Sequence, residues 1–337
     1  MPPSPNVLVV RFSSIGDVLL ITPLLRAIRA RHPEARITVL TKQAFAPLLE
    51  RNPHVNRVLT LAPGGSLRAI AAELRAAQFS HRLDLHGSLR SRLLRLLVPG
   101  RWGGYPKHRV ARGLLVATKR NLYRDRRPVP ERYFDAAREL DVRPDGGPPE
   151  LEVGQAAARE AAAWLADAGL KGERPVVALA PGAAHATKRW PPGHWTKLAA
   201  RMVEANMDVV LVGGPDDVPI AEALVAAGPA GVQSAAGQFG LEGTAALLAR
   251  CRALVSGDTG VMHMATAVGT PVVALFGPTV EAFGFFPYTG RADVVQLDLD
   301  CRPCSTQGSR HCPLGHHRCL RAIPAEDVFA RLCEALA

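Results

Sequence analysis

The chain has 337 residues, of which 47% are apolar and 21% are charged, and its formal net charge is +11 at pH 7. Single hydrophobic cores rarely grow beyond ~250–300 residues, so this length predicts two domains. No apolar run reaches the ~18 residues of a membrane-spanning helix, and the N-terminus lacks the apolar segment of a secretory signal. We therefore expect a cytoplasmic protein without a transmembrane helix.

The positive charge is concentrated in one window of the sequence. Residues 82–132 hold 14 Lys and Arg against three acids, so the rest of the chain is neutral overall. Such a patch attracts an anionic partner, for example a phosphorylated glycolipid, a membrane surface or a nucleic acid. The alternative is that these arginines lie on the solvated faces of ordinary helices, and the helical spacing of many of them is compatible with that.

The first half of the chain alternates between apolar runs and helix-like segments. Strands are predicted at 6–12, 36–41, 57–61 and 82–85, and helices at 18–32, 44–51, 66–77, 86–97 and 131–140. Thr22-Pro23 indicates either the first residues of a helix or a kink in one that begins near Asp17. The arginine-rich segment 100–130 gives no clear element. Regular alternation of this kind predicts a parallel sheet with helices on both faces.

A Pro/Gly-rich stretch at 142–149 predicts a linker, after which the alternation restarts. Strands are predicted at 175–180, 207–212, near 232, 253–255 and 271–275, and helices at 156–168, 193–205, 220–227, 241–250, 261–268 and 325–336. The predicted domains are 1–145 and 151–323, followed by a C-terminal helix at 324–337. Two α/β halves of this kind bind ligands at the carboxyl ends of their strands, in the cleft between them.

The stretch Ser-Gly-Asp-Thr-Gly-Val-Met-His at 256–263 joins an apolar strand to a short helix. Asp258 or Thr259 can cap that helix, and Gly260 lets a ligand approach the backbone closely. The remaining N–H groups and the helix dipole then form an anion site, with His263 in or just beyond the first turn. We interpret the stretch as a cradle for a phosphate or diphosphate; an ordinary capped helix is the alternative.

Other charged residues follow predicted strands, where open α/β sheets present functional groups. Asp17 is a candidate general base, or else a cap of the next helix. Lys188 suits a diphosphate, although a loop lysine is more often solvated. Asp216 and Asp217 suit the hydroxyls of a ribose, or else cap a helix. Neither the Gly-x-x-x-x-Gly-Lys-Ser/Thr nor the Gly-x-Gly-x-x-Gly fingerprint is present, which argues against a P-loop enzyme and a typical dehydrogenase.

Four of the six cysteines lie close together near the C-terminus, at positions 301, 304, 312 and 319. Their spacing, Cys-x2-Cys-x7-Cys-x6-Cys, is an imperfect match to a structural zinc site. Packed, reduced or redox-active thiols are the alternative. We expect this segment to hold the loop before the last helix in place.

Two of these stretches resemble the motifs of one family. The sequence Val-Val-Arg-Phe-Ser-Ser-Ile-Gly-Asp-Val-Leu at 9–19 with Thr22-Pro23, and Val-Ser-Gly-Asp-Thr-Gly-Val-Met-His at 255–263, are similar to those of glycosyltransferase family 9. These are the bacterial heptosyltransferases of the lipopolysaccharide inner core, and the cysteine-rich tail also resembles members of the family. The resemblance implies an α/β, GT-B fold: two Rossmann-like domains with parallel sheets facing a central cleft. The acceptor would bind residues 1–145 and the nucleotide sugar 151–323.

The resemblance also implies an inverting transfer of heptose from ADP-heptose to a phosphorylated Kdo-lipid A type acceptor, with no metal or other cofactor. Asp17 matches the catalytic base, and Lys188 would help ADP to leave. The implied nucleotide-sugar contacts are Asp216, Phe239, Asp258, Thr259, Gly260, Val261 and His263, and the implied acceptor contacts are Ser14, Gly16 and Arg90. The resemblance further implies that the basic window makes peripheral contact with the anionic inner face of the inner membrane, and that nucleic acid is not a partner.

Two other hypotheses remain compatible with the sequence. One is a family 9 transferase that uses a different nucleotide sugar or acceptor. The other is a non-catalytic GT-B-like protein that docks on anionic lipid or nucleic acid through the basic window. Gly257 departs from the bulkier residue expected at its position, and Ala183 and Ala184 stand where some members of the family carry hydroxyl residues.

Overall fold

The computed structural model describes residues 4–170 and 172–337. The described chain forms two compact units, one with residues through Lys107 together with Arg127–Glu152, the other with His108–Arg126 and Val153–Ala337. The predicted division at 145–151 treats the chain as two consecutive pieces, whereas the segment 108–126 packs with the later unit. The functions predicted for the two domains remain predictions.

The first unit is built on a parallel sheet that uses the predicted apolar runs. Within the described residues its strands are β1 (Asn6–Val10), β2 (Arg36–Lys42), β3 (Arg57–Leu61), β4 (His81–Asp84) and β5 (Gly103–Gly104). Their spatial order is β3-β2-β1-β4-β5, and Val10 pairs with Leu40 on one side and Asp84 on the other. The order therefore reverses between β1 and β4, the point at which open α/β sheets bind ligands.

The helices of this part of the chain differ in detail from the prediction. They are α1 (Ile15–Leu19), α2 (Thr22–Arg31), α3 (Leu67–Ala76), α4 (Leu89–Leu97), α5 (Arg109–Thr118) and α6 (Val129–Arg132), with 3-10 helices at Gln43–Leu48 and Tyr133–Leu140. The single helix predicted at 18–32 is two helices, and Pro23 lies in the first turn of the second. The helix predicted at 44–51 is a shorter 3-10 helix that ends at Leu48, because Pro47 cannot donate the backbone hydrogen bond that an α-helix would need there.

Helix α5 packs with the second unit through a small apolar cluster. Leu115 and Tyr123 are buried there against Phe283. The guanidinium of Arg112 lies 5.2 Å from the centre of the Phe283 ring, a cation–π distance. The apolar positions of this segment thus find their partner more than 150 residues later in the chain, which local periodicity cannot reveal.

The predicted linker at 142–149 is tied to the first unit by one arginine. Arg26 on α2 forms an ion pair with Asp145 at 2.6 Å and another with Glu150 at 2.9 Å, and it donates to the carbonyl of Pro148 at 3.0 Å. A planar guanidinium can make several such bonds at once. This stretch is therefore an ordered part of the first unit in spite of its Pro/Gly content.

The second unit repeats the same architecture with one more strand. Its described strands are β6 (Val176–Ala180), β7 (Asp208–Leu211), β8 (Gln233–Ser234), β9 (Ala253–Gly257), β10 (Val272–Phe276) and β11 (Ala292–Gln296). They are parallel in the order β11-β10-β9-β6-β7-β8, the strand order of a Rossmann fold. The predicted class, α/β with parallel sheets, is confirmed.

The helices of the second unit cover both faces of its sheet. They are α7 (Gln155–Asp167), α8 (Pro192–Glu204), α9 (Val218–Ala227), α10 (Leu241–Leu248), α11 (Gly260–Ala267), α12 (Arg318–Arg321) and α13 (Ala325–Leu336), with 3-10 helices at Ala186–Lys188, Pro215–Asp217 and Glu281–Phe283. Trp190 and Trp195 meet edge to face in the core at 5.0 Å, and Trp190 donates to the carbonyl of Ile323. In the described residues, no helix is both long and apolar enough to cross a membrane.

A glycine on the edge strand β5 provides a test of packing in the first unit. A Cβ at Gly103 would lie 1.9 Å from the backbone oxygen of Ala136, whereas a Cβ at Gly104 would meet nothing within 4 Å. We expect Gly103→Ala to lower the free energy of unfolding by ~1–3 kcal/mol, the usual cost of overpacking. Gly104→Ala is the matched control and should change it by less than ~1 kcal/mol. Urea denaturation measures both, and equal effects would contradict the close contact between β5 and the 133–140 segment.

Candidate functional site

The loops that follow β6 and β9 lie side by side in the second unit, because these two strands pair with each other. Strand order reverses between them, so their carboxyl ends form the topological switch point of this sheet. Lys188 follows β6, and Asp258 follows β9 directly. The fold therefore brings together two of the residues that the sequence singled out, although 70 positions separate them.

Lys188 and Asp258 form an ion pair at this switch point. The ammonium nitrogen lies 2.7 Å from Oδ2 of Asp258, and both side chains are largely buried. The hydroxyl of Thr279 donates to the same carboxylate oxygen at 2.7 Å. Charges out of water are stable only when they are paired and hydrogen-bonded, so each of these three groups depends on the others. An ammonium has three N–H donors, and further ones remain for a ligand.

Helix α11 begins beside this pair. Its N-cap is Thr259, whose side chain makes no capping hydrogen bond and lies instead 3.1 Å from Oγ of Ser256. The carboxylate of Asp258 is committed to Lys188 and Thr279. The expectation that Asp258 or Thr259 caps this helix is therefore wrong, because both side chains bind elsewhere. The first N–H groups of the helix, including those of Gly260 and Val261, therefore have no side-chain cap. They form the positive end of the helix dipole.

Gly257 has a steric explanation at this site. A Cβ there would lie 2.9 Å from the backbone oxygen of Lys188, closer than such contacts tolerate. A bulkier residue, as the family resemblance led us to expect, would push away the loop that carries the ammonium. Glycine at 257 therefore allows the backbone at residue 188 to approach the end of β9 closely. His263 lies in α11 and is 4% exposed, so its ring is buried within the helix layer.

The cysteine-rich segment holds the Lys188 loop in place. The backbone carbonyl of Ser309 accepts from the N–H of Thr187 at 3.1 Å and from the Thr187 hydroxyl at 3.0 Å. The N–H of Ser309 in turn donates to the Thr187 hydroxyl at 2.8 Å. Nε2 of His317 donates to the Thr187 carbonyl at 2.9 Å. Arg302 donates to the carbonyls of Gly277 and Thr279. This segment thus supports the Lys188 loop directly, and it also supports the loop after β10 that carries Thr279, the hydrogen-bond donor to Asp258.

The cysteines themselves are unpaired in this structure. None of the six forms a disulfide, and no group of three or more His, Cys, Asp or Glu in the described residues is placed to hold a metal ion. Burial raises the pKa of Cys319 to about 11, with the neighbouring Cys304 adding to it. Burial likewise raises the pKa of Cys304. The structure therefore shows free thiols in this segment, and the raised pKa values of Cys304 and Cys319 favour their protonated form.

In the turn after β7, Asp216 and Asp217 have different environments. Asp217 accepts from the backbone N–H of Gly214 at 2.9 Å and closes the turn, which fits the capping alternative. Asp216 is exposed beside it. Phe239, which precedes α10, is half-buried. Its ring packs edge to face against Trp164, with the ring centres 6.0 Å apart. Both Asp216 and Phe239 belong to the second unit, as the ion pair does.

In the first unit, Arg11 organises the end of β1. It is 5% exposed and forms an ion pair with Oδ1 of Asp17. It also donates to the carbonyl of Ser13 at 3.0 Å and to the carbonyl of Leu85, which follows β4. A single guanidinium therefore links the two loops at this sheet's switch point. Its signal in the sequence was a lone charge inside the apolar run predicted as the first strand, between Val10 and Phe12.

Asp17 is an ionised carboxylate with defined partners. Oδ2 accepts from the backbone N–H of Ser14 at 3.2 Å and from its hydroxyl at 3.0 Å, so Asp17 also completes the capping box of α1. Burial raises the pKa of this carboxyl, but the charge of Arg11 and the hydrogen bonds from Ser14 outweigh it, and the pKa lies below the ordinary range. The side chain remains 21% exposed. Asp17 is thus charged, fixed and accessible.

Several neighbours of Asp17 could not be found from the sequence alone. Burial, with the charges of Arg11 and Lys107, lowers the pKa of His86 to about 4, so this imidazole is neutral at pH 7. The guanidinium carbon of Arg11 lies 5.8 Å from the centre of the Tyr133 ring. Of the predicted acceptor residues, Ser14 contacts Asp17 and Gly16 is buried inside α1. Arg90 is exposed on α4 and takes no part in the bonds described for Arg11 and Asp17.

Two Rossmann-like units with charged groups at the carboxyl ends of their central strands are the architecture of a GT-B glycosyltransferase. The chain belongs to glycosyltransferase family 9 (heptosyltransferase), whose sequence model matches residues 67–314. Lipopolysaccharide heptosyltransferase 2 of Salmonella typhimurium is 31% identical over 313 residues, which cover 87% of this chain and 88% of that relative. Lipooligosaccharide heptosyltransferase 2 of Haemophilus influenzae is 29% identical, and the matched region covers 98% of this chain and 99% of that relative.

Solved structures agree with this assignment. ADP-heptose lipopolysaccharide heptosyltransferase II of Escherichia coli superimposes with a TM-score of 0.76 and 27% identity, covering 98% of both chains. A family 9 glycosyltransferase of Veillonella parvula has a TM-score of 0.83 at 23% identity, covering 100% of this chain and 98% of that one. The predicted GT-B class and the predicted family are confirmed, and the chain is a glycosyltransferase.

The hydroxyl of Thr279 provides a test of the ion-pair network. Thr279→Val keeps the shape of the side chain but removes the donor to a buried carboxylate, so we expect the free energy of unfolding to fall by ~1.5–3 kcal/mol. Thr279→Ser keeps the hydroxyl and serves as the control, and it should lose less. Urea denaturation of both variants decides the point. No loss in Thr279→Val would contradict the contribution of the hydrogen bond to Asp258, and a larger loss in Thr279→Ser would mean that packing of the methyl group contributes more than that bond.

Proposed function

We propose that this chain transfers heptose from ADP-heptose to the inner core of lipopolysaccharide, with inversion at the anomeric carbon. Membership of family 9 and relatives named lipopolysaccharide heptosyltransferase support the reaction class. The Escherichia coli relative of known structure is an ADP-heptose enzyme, which favours the same donor here. The observation on which the proposal rests is the Lys188–Asp258 pair at the start of α11.

The second unit would bind the donor through its diphosphate. The N–H groups of Thr259, Gly260 and Val261, together with the helix dipole, form an anion site of the kind that phosphates occupy. Lys188 would contribute cationic hydrogen-bond donors, namely the N–H groups of the ammonium that Asp258 leaves available. Such charge stabilises the departing diphosphate as the glycosidic bond breaks, and so would contribute to the rate directly. No divalent metal is needed in this scheme.

The remaining donor contacts are proposed from position and chemistry. Asp216 is exposed after β7, where an acid can accept hydrogen bonds from both hydroxyls of a ribose. Phe239 offers a half-buried ring at the start of α10 for contact with the adenine. His263 lies within α11, and we propose that it supports the start of that helix in the donor site.

The first unit would activate the acceptor. Asp17 takes the proton from the acceptor hydroxyl as that oxygen forms a bond to the anomeric carbon; the bond between that carbon and the diphosphate breaks, and ADP leaves with the electron pair. A carboxylate of low pKa is a weak base, yet it is ionised at neutral pH, as a proton acceptor must be. It suffices here because a hydroxyl becomes strongly acidic only as it bonds to the electron-poor sugar carbon. Ser14 and Gly16 would lie against the acceptor beside it.

The acceptor that we propose is a phosphorylated Kdo-lipid A type glycolipid. Arg90 and the basic window at 82–132 supply the positive charge that its phosphate and carboxylate groups require. Because this acceptor is anchored in lipid, we also propose that the protein works on the cytoplasmic face of the inner membrane, in peripheral contact with its anionic surface. Nucleic acid is not a partner in this proposal.

The two catalytic functions can be separated by substitution. Asp17→Asn keeps the size and removes the proton acceptor, so we expect kcat to fall ~10²–10⁴-fold with little change in nucleotide binding. Lys188→Met should instead weaken the thermal stabilisation of the protein by ADP, because a diphosphate contact is lost. ADP release with a core acceptor measures the first effect, and a thermal shift with ADP, UDP and GDP measures the second.

Controls distinguish chemistry from folding in this pair of variants. Lys188→Met leaves Asp258 buried without its cation, so the double variant with Asp258→Asn should recover thermal stability but not ADP binding. Full turnover by Asp17→Asn would remove the assignment of the base. A shift of equal size with ADP, UDP and GDP would contradict ADP as the nucleotide of the donor.

The pH profile tests how Arg11 acts on Asp17. The folded pKa of Asp17 is depressed, so activity should persist as pH falls and decline only below the ordinary carboxyl range. Arg11→Gln removes the attraction that opposes burial, so the pKa of Asp17 rises and the acidic limb of kcat/KM moves to higher pH. Arg26→Gln, which breaks the pairs with Asp145 and Glu150 in the same unit, is the control and should leave the limb in place. An unmoved limb in Arg11→Gln would mean that another group titrates.

A further inference from the structure

Helix α4 carries leucines on two opposite faces. Leu94 is fully buried in the core of the first unit, whereas Leu89, Leu93 and Leu96 are 85%, 48% and 81% exposed. At ~100° per residue these three positions fall within an arc of about 60°. We name this surface the leucine stripe. Its centre lies opposite the side that Ser91 and Leu94 bury, so it faces directly away from the protein.

Arginines border the leucine stripe on both sides. On the same helical projection Arg92 and then Arg95 follow on one edge, and Arg90 lies on the other. All three are exposed, and α4 contains no acidic residue. The carboxylate of Asp84, at the end of β4, lies 4.0 Å from Arg95. The outer surface of α4 is thus an apolar centre with a cationic border.

The outward orientation of the leucine stripe is fixed by hydrogen bonds of the buried side chains of Asp84 and Ser91. Asp84 accepts from the N–H groups of His86 at 3.0 Å and Gly87 at 2.8 Å, and from the hydroxyl of Ser91 at 3.0 Å. Ser88 caps the helix by accepting from the N–H of Ser91 at 3.3 Å. Because Ser91 is bound to the sheet in this way, α4 cannot rotate to bury the stripe without losing these bonds.

The composition of this surface selects among possible partners. Nucleic acid would satisfy the arginines, but it offers nothing to three leucines at the outermost positions. A second copy of this chain, paired across a two-fold axis, would bring the same arginines together in repulsion. The boundary of an anionic bilayer satisfies both parts, since acyl chains accept the leucines and lipid phosphates accept the guanidinium groups.

We propose that α4 docks on an anionic lipid surface, with the leucine stripe at the boundary between headgroups and acyl chains and the arginines at the lipid phosphates. The inference rests on the proposed function only in that a lipid-anchored acceptor brings the protein to a membrane. It adds the surface that makes the contact and an apolar component to what would otherwise be attraction by charge alone.

Vesicle binding tests the docking surface. The native protein should co-sediment with vesicles of phosphatidylglycerol and phosphatidylcholine, and bind pure phosphatidylcholine weakly. The triple variant Leu89→Gln, Leu93→Gln, Leu96→Gln should bind the anionic vesicles at least tenfold more weakly, and Arg92→Gln severalfold more weakly. Leu314→Gln, which changes a leucine 62% exposed in the second unit, is the matched control and should bind like the native protein. All four leucine side chains are exposed, so these variants should keep the fold.

Other results would overturn the proposal. Equal binding by the native protein and the triple variant would mean attraction by charge alone, and no vesicle binding would exclude a lipid surface. Loss of a dimer in light scattering as the main effect of the triple variant would mean that a second copy covers the stripe. Transfer to a water-soluble acceptor should be unchanged in the triple variant. If the native protein lacks that transfer but binds vesicles through the stripe, the proposed function fails while the docking proposal stands.

Discussion

The ion pair between Lys188 and Asp258 is the interaction on which the second unit's site depends. It joins the loops after β6 and β9, at the place where the order of strands reverses. A buried carboxylate cannot remain without partners, so the positions of Lys188, Asp258 and Thr279 determine one another. The segment 301–319 adds to this constraint by binding Thr187 on one side and the backbone of Thr279 on the other. The charged groups are consequently held before any ligand arrives.

The first unit has a similar ion pair at its own switch point, but there the charge that remains accessible is negative. Arg11 is the buried member there, so the partly exposed Asp17 presents negative charge. In the second unit the carboxylate is shared between Lys188 and Thr279, and the start of α11 adds positive potential. The same α/β architecture thus presents a partly exposed carboxylate in one unit, and an ammonium beside the positive end of a helix in the other. Those are the two polarities that the proposed transfer requires.

The sequence predicted the fold well wherever local pattern determines structure. Continuous apolar runs followed by polar turns located most strands of both parallel sheets, and with them the loops that carry Asp17, Lys188 and Asp258. Contacts between distant parts of the chain were not predictable. Thr279 lies 21 positions from Asp258, and Ser309 lies 122 from Thr187. Capping at 259 was wrong for the same reason, since the side chains that could cap the helix form tertiary contacts instead.

The packing of 108–126 with the second unit means that the chain cannot be divided into halves at its Pro/Gly-rich stretch. A fragment that ends at residue 145 would keep Leu115 and Tyr123 but lose Phe283, against which they are buried. The complementary fragment would present Phe283 to water. Each piece would then carry an uncovered apolar surface and tend to aggregate. Gene dissection or domain exchange in this protein therefore has to move the α5 segment together with residues 153–337.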